Sequence, residues 1–135
     1  MSNALDPEQL KRAIEGDLQA FFAVRTRPQE EIIEARNQLS HLTLSSEALA
    51  RVVRSLLNGK VAKQEVQSWA SFMRRGYIAG TMAPRVFPID IAYTVEREDE
   101  IALIVSRLDE LGDVVDGEID ANELVGMLHQ LRGTA

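Results

Sequence analysis

The chain has 135 residues, 45% of them apolar and none of them cysteine. That is the size of one domain able to bury a core, and the missing thiols exclude disulfides, thiolate catalysis and cysteine-ligated zinc. The net charge of −6 is unevenly spread: residues 96–123 carry 11 acidic and 2 basic side chains, whereas residues 1–95 carry 12 basic and 10 acidic ones.

In chain order, helical signals come first. LDPEQLKRAIEGDLQAFFAV opens with Asp6 as N-cap, Pro7 at the first helical position and Gln9 closing a capping box. Leu10, Ile14, Leu18, Phe21 and Phe22 fall on one face, which predicts one helix weakened by Gly16. Thr26 caps a second helix carrying Ile32, Ile33 and Leu39, with Pro28 near its start. Ser45 or Ser46 caps a third, with Leu49, Val52, Val53, Leu56 and Leu57 inward and Asn58-Gly59 at its end. A fourth runs from about Lys63 to Arg75, burying Val66, Trp69, Phe72 and Met73, and Gly76 stops it.

GYIAGTMAPRVFPID is the longest non-helical stretch, and Ile89, Ile91, Tyr93 and Val95 alternate at strand period. No other segment offers a partner, so this region is expected to be extended chain or a short irregular helix. Thr94 is the candidate cap of a fifth helix, with Glu96, Glu98 and Asp99 in its first turn, where the helix dipole favours acids. Its stripe is Ile101, Ile104, Val105, Leu108 and Leu111. A sixth helix follows Asp120 and turns Leu124, Val125, Leu128 and Leu131 inward. The expected fold is a single all-α domain over 1–135, a compact bundle of five or six helices, mostly antiparallel hairpins, with an N-terminal helical pair in 1–45.

DGEIDANEL, residues 116–124, has the Gly, branched residue and Glu of the second half of a calcium loop. With Gly117 at loop position 6, Asp116, Asp120 and Glu123 fit, but positions 1 and 3 are Gly112 and Val114. The related NGKVAKQEV at 58–66 would begin its loop with Arg54 and Leu56. A plainer cause fits both copies: a helix end, a turning Gly, a branched residue returned to the core and a new helix. No metal or other cofactor is expected.

His41 and His129 are the only histidines, and no nucleophile elbow, P-loop or G-x-G-x-x-G accompanies them, so no catalytic residue is assigned. Arg74, Arg75 and Arg85 lie near Trp69, Phe72 and Tyr77, but helix-end arginines and core aromatics explain the group. No apolar run approaches the ~20 residues of a membrane span, and no signal peptide is recognised, so a soluble, cytoplasmic, bacterial protein is expected. The acidic block repels phosphates, which disfavours nucleic acid, and attracts a basic protein.

RVVRSLLNGKVAKQEVQSWASFMRRGYIAG, followed after a connection by IALIVSRLDELGDVVDGEIDANELVGMLHQLR, resembles the bacterial immunity proteins of the colicin D type over about residues 48–132. The likeness lies in an early helix pair around LLNGKVAKQEV, an acidic connection DVVDGEID and an apolar last helix ELVGMLHQL. It makes residues 46–135 an immunity-like bundle and leaves 1–45 unexplained. It implies a non-enzymatic inhibitor whose acidic surface occupies the basic site of a toxin nuclease. The partner-facing acids are then Glu96, Glu98, Asp99, Asp109, Glu110, Asp113, Asp116 and Glu118. Two other classes stay open: a degenerate EF-hand-like cation module, and a small-ligand-binding or structural bundle with a pocket at Trp69, Phe72 and Tyr77. On the helix-turn reading of DGEID, millimolar calcium leaves the melting temperature unchanged, whereas a cation module would raise it by linkage.

Overall fold

The computed structural model describes residues 5–77, 89, 91–111 and 119–132. Among these the chain forms seven α-helices, one 3-10 turn and one pair of two-residue strands, so the fold is all-α. Helix α1, Pro7–Ile14, is capped by Asp6, whose carboxylate accepts the Glu8 N–H at 3.0 Å. It does not run on to Val24. Gly16 turns the chain at φ 93°, and Asp17 caps a new helix α2, Leu18–Arg25, by accepting from Gln19 and Ala20 N–H at 3.0 and 3.2 Å. The helical spacing of Leu10, Ile14, Leu18 and Phe21 continues across the break because all four are buried in the same core.

Helix α3, Gln29–Asn37, starts after Pro28. Thr26 belongs to the end of α2 instead, where its hydroxyl donates to the Ala23 carbonyl at 3.0 Å. Helix α4, Ser46–Leu57, is capped by Ser45, which accepts the Ala48 N–H at 3.1 Å. Helix α5 spans Lys63–Arg75 and buries Val66, Trp69, Phe72 and Met73 as its spacing predicts. Ala62 precedes it without a side-chain cap, and Gly76 closes it through an N–H to the Phe72 carbonyl.

The alternating stretch does find a partner. Strand β1, Thr43–Leu44, pairs in parallel with β2, Ala92–Tyr93, in the register Thr43–Ala92 and Leu44–Tyr93. The N–H groups of Ala92 and Thr94 donate to the carbonyls of Leu42 and Leu44 at 2.9 and 3.1 Å. Two residues are too few to leave a periodic signal, so β1 was invisible in HLTLSS. Burial raises the pKa of the Tyr93 phenol above its usual range, and the Arg74 charge offsets part of that. Thr94 gives no side-chain cap to a helix; its hydroxyl donates to the Leu44 carbonyl at 3.3 Å. A 3-10 turn, Val95–Arg97, then leads into α6, Glu98–Asp109.

Helix α7, Ala121–Arg132, starts at Asp120, whose carboxylate accepts the Glu123 N–H at 2.8 Å. Ile119 is buried just before it, as the helix-turn reading of DGEID requires. Leu124 and Leu131 point inward, but Val125 is 40% exposed and Met127 is buried instead. The seam of α7 therefore runs through 124, 127, 128 and 131, one helical face rather than two.

The broadest packing contacts are α1 on α2, α4 on α7 and α5 on α6. Chain neighbours α4–α5 and α6–α7 touch over less of their length, so the two hairpins interlock. One buried cluster runs from Leu5 to Leu131 and includes Phe21, Ile32, Trp69 and Val105. The first 45 residues are thus part of the same core. At its centre Trp69 is fully buried, and its indole N–H donates to the Ala13 carbonyl at 2.8 Å. The Phe21 and Phe72 rings lie 5.7 Å apart beside it. No helix among the described residues is long and apolar enough to cross a membrane.

The turn at Gly16 is pressed onto α4: a Cβ there would lie 2.7 Å from the Ala48 carbonyl oxygen. Arg51 fixes the same contact by donating to the Glu15 carbonyl at 2.9 Å. Gly59 shares the left-handed backbone at φ 72° but meets nothing within 4 Å. Gly59→Ala is expected to cost about 1 kcal/mol, the strain of a left-handed Ala. Gly16→Ala adds a backbone collision and should cost about 3 kcal/mol or more. Urea unfolding of the two variants checks this, and equal losses would mean that the contact with α4 yields freely.

Candidate functional site

The described acidic residues divide into two groups that the sequence does not distinguish. Glu96 sits in the 3-10 turn, and Glu98, Asp99 and Glu100 occupy the first turn of α6. Glu96, Glu98 and Asp99 are exposed and Glu100 is half-buried. Among the described residues no basic side chain forms an ion pair with any of the four. They line a shallow hollow together with Val95, which is 84% exposed. The helix terminus partly offsets their mutual repulsion, because its free N–H groups carry partial positive charge. No side chain caps that terminus.

Asp109 and Glu110 have different surroundings. The Asp109 side chain is only 6% exposed. Arg74 donates to it at 3.0 Å, Arg75 lies at 3.6 Å and Gln67 donates to it at 3.0 Å. Asp109 therefore clamps α6 to α5 and is not available to meet a partner. This corrects the expectation drawn from its place in the acidic block. Glu110 accepts from Arg107 at 2.9 Å, and Arg107 also bridges across to both carboxylate oxygens of Glu123 on α7. Those bonds, the one to Glu123 foremost, hold the Arg107 guanidinium even more firmly protonated than usual. Asp113, Asp116 and Glu118 lie outside the described residues.

The same placements bear on the other expectations. Glu123, the would-be twelfth ligand of a calcium loop, is committed to Arg107, and Asp120 is committed to capping α7. Gly112, Val114, Asp116 and Gly117 are outside the described residues. Among those described, no three His or acidic side chains are grouped to hold a metal ion. Trp69 and Phe72 are wholly buried in the core, and Tyr77 is half-buried. His41 and His129 are both exposed. Arg74 and Arg75 spend their charge on Asp109, and Arg85 is outside the described residues.

Beside the free acids lies a feature that the sequence reading missed. A trough of about 320 Å³ runs between α6 and α7, lined by Leu103, Ile104, Arg107, Glu123, Gly126, Met127 and Gln130. Leu103 on its rim is 71% exposed. It follows Asp99 by four residues and Glu100 by three, so those two acids and the trough share one side of α6. The sequence signals were Leu103, an apolar residue off the buried stripe of α6, and Gly126 inside α7.

Comparison with known proteins finds no matching family model, no matching curated protein and no matching solved structure.

Asp109→Asn leaves two arginines facing a neutral group and is expected to destabilise the fold by about 1–2 kcal/mol, the arginines being half exposed. Asp99→Asn, at an exposed acid with no ion-pair partner among the described residues, should stay within about 0.5 kcal/mol. Denaturant unfolding of both variants tests the division, and similar effects at the two sites would erase it.

Proposed function

We propose that this is a non-enzymatic cytoplasmic binding protein of the bacterial toxin-immunity type, which blocks a basic protein partner such as a nuclease toxin. One observation carries the reading: Glu96, Glu98, Asp99 and Glu100 are gathered on one helix end with no ion-pair partner among the described residues. Elsewhere on the same helix the acids are matched, Asp109 by Arg74 and Arg75, and Glu110 by Arg107. Unmatched like charge raises the energy of the free protein slightly and is relieved by a partner of opposite charge. The likeness of residues 48–132 to colicin-D-type immunity proteins supports the same direction and rests on the sequence motifs alone. In that setting the acids would occupy the basic groove in which a nuclease holds RNA. Asp109 takes no part in this face; its role is internal.

Such a contact depends on salt, because exposed charges are screened over about 8 Å at physiological ionic strength. The test is capture of the partner by the immobilised protein across a salt gradient, with identification by mass spectrometry. A basic protein retained at low salt and released as salt rises is the expected result. Combined Glu96→Lys, Glu98→Lys and Asp99→Lys should weaken retention by about tenfold or more while the protein stays folded, its melting temperature lowered by a few degrees because lysines oppose the dipole at a helix N-terminus. If the partner is a nuclease, the unaltered protein should inhibit it and the triple variant should not. Retention and inhibition that survive the charge reversal would overturn the proposal.

A further inference from the structure

The trough between α6 and α7 holds a residue choice that the fold does not explain. Gly126 lies within α7. Its backbone does not have the positive φ found at Gly16, Gly59 and Gly76. A Cβ added to it would meet nothing within 4 Å. Neither backbone conformation nor packing within the described chain calls for glycine, although glycine weakens a helix interior relative to alanine. The remaining physical use of glycine is to let another backbone or a ligand approach closely.

Single exposed apolar residues are ordinary on protein surfaces and carry no argument alone. Leu103 differs because it stands on the rim of the same trough, with Ile104 and Met127 at its floor and Gly126 opposite. The trough is too open to enclose a small molecule, which binding sites usually bury almost entirely. It has the shape that receives side chains from one face of a helix. Its charge selects among helices. Asp99 and Glu100 stand one turn before Leu103 on the same side of α6, and the single arginine in its wall, Arg107, is matched by Glu110 and Glu123.

We infer that the α6–α7 trough docks an amphipathic helix of the partner, with its apolar side chains between Leu103 and Met127, its backbone against Gly126 and its lysines or arginines on Asp99 and Glu100. This rests on the acidic-face reading and adds the secondary structure, seat and orientation of what binds there.

The probe is a labelled synthetic peptide of about 18 residues, five helical turns, with Leu at helical spacing on one face and Lys on the other. A scrambled peptide of the same composition keeps the charge and loses the face. Anisotropy titrations are expected to show the amphipathic peptide binding at least about tenfold tighter than the scrambled one. Amide shifts at Leu103, Gly126 and Met127 should accompany binding. Leu103→Asp removes an exposed anchor, and Gly126→Leu fills open space, so both variants should fold and both should abolish the preference. Gly126→Ala should raise the melting temperature by a few degrees (about 4 °C).

Equal binding of both peptides, lost on reversal of Glu96, Glu98 and Asp99, would overturn the trough inference and leave the acidic face standing. Amphipathic binding that ignores charge reversal would sink the acidic-face reading and keep the trough. Failure of both peptides to bind would overturn the inference, whatever protein the capture experiment retains. A dimer in light scattering that Leu103→Asp turns into monomer would assign the trough to a second copy and overturn it as well.

Discussion

The hydrogen bond from the Trp69 indole to the Ala13 carbonyl is the contact on which the arrangement turns. Trp69 is the chain's one tryptophan and is wholly buried. A buried indole N–H without an acceptor costs about 1–3 kcal/mol, so the ring can enter the core only where a carbonyl faces it. The last turn of a helix leaves carbonyls outside its regular bonding; α1 ends at Ile14, and the Ala13 carbonyl, which accepts the Gly16 N–H at 3.2 Å, has a second lone pair for the indole. The Gly16 turn that ends α1 is in turn pressed against Ala48 on α4. One early interruption of a helix thereby fixes three others. Phe21 on the redirected α2 reaches Phe72 one turn beyond Trp69, which completes the aromatic centre.

The outer layer is organised by charge. Asp109 joins α5 to α6 through Arg74 and Arg75, and Glu123 joins α7 to α6 through Arg107. These pairs use the acids that lie between helices. The acids on the first turn of α6 form no ion pair among the described residues, so the charge excess collects at one end of one helix. The core consequently bears on function indirectly. By setting which helices adjoin, it sets which carboxylates are neutralised and which stay exposed.

Much of the fold was legible because helix ends are local chemistry. Ser45, Asp6 and Asp120 each accept a backbone N–H two or three residues on, and each was readable as a cap. The bounds Lys63–Arg75 followed from the spacing of Val66, Trp69, Phe72 and Met73 and from Gly76. Gly16-Asp17 was misread because the apolar period runs through the break, and period outweighed the turn-and-cap pair. Val125 was misread because a two-residue shift in the seam of α7 exchanges it for Met127, and the partner helix decides that. The β1–β2 pair was missed because strand pairing over 49 residues leaves no mark in either two-residue segment.

By itself the sequence determined the helical class, most helix ends, the buried stripes and the concentration of acid after residue 95. All of these arise from neighbours within about four residues along the chain. Only the tertiary structure decided which acids are spoken for. Arg74 meets Asp109 across 35 positions and Arg107 meets Glu123 across 16. It also decided that Leu103 and Gly126 share one trough, from two helices whose own patterns show only an odd leucine and an odd glycine. Ion pairing and groove formation depend on distance in space, and no local rule converts sequence separation into that distance.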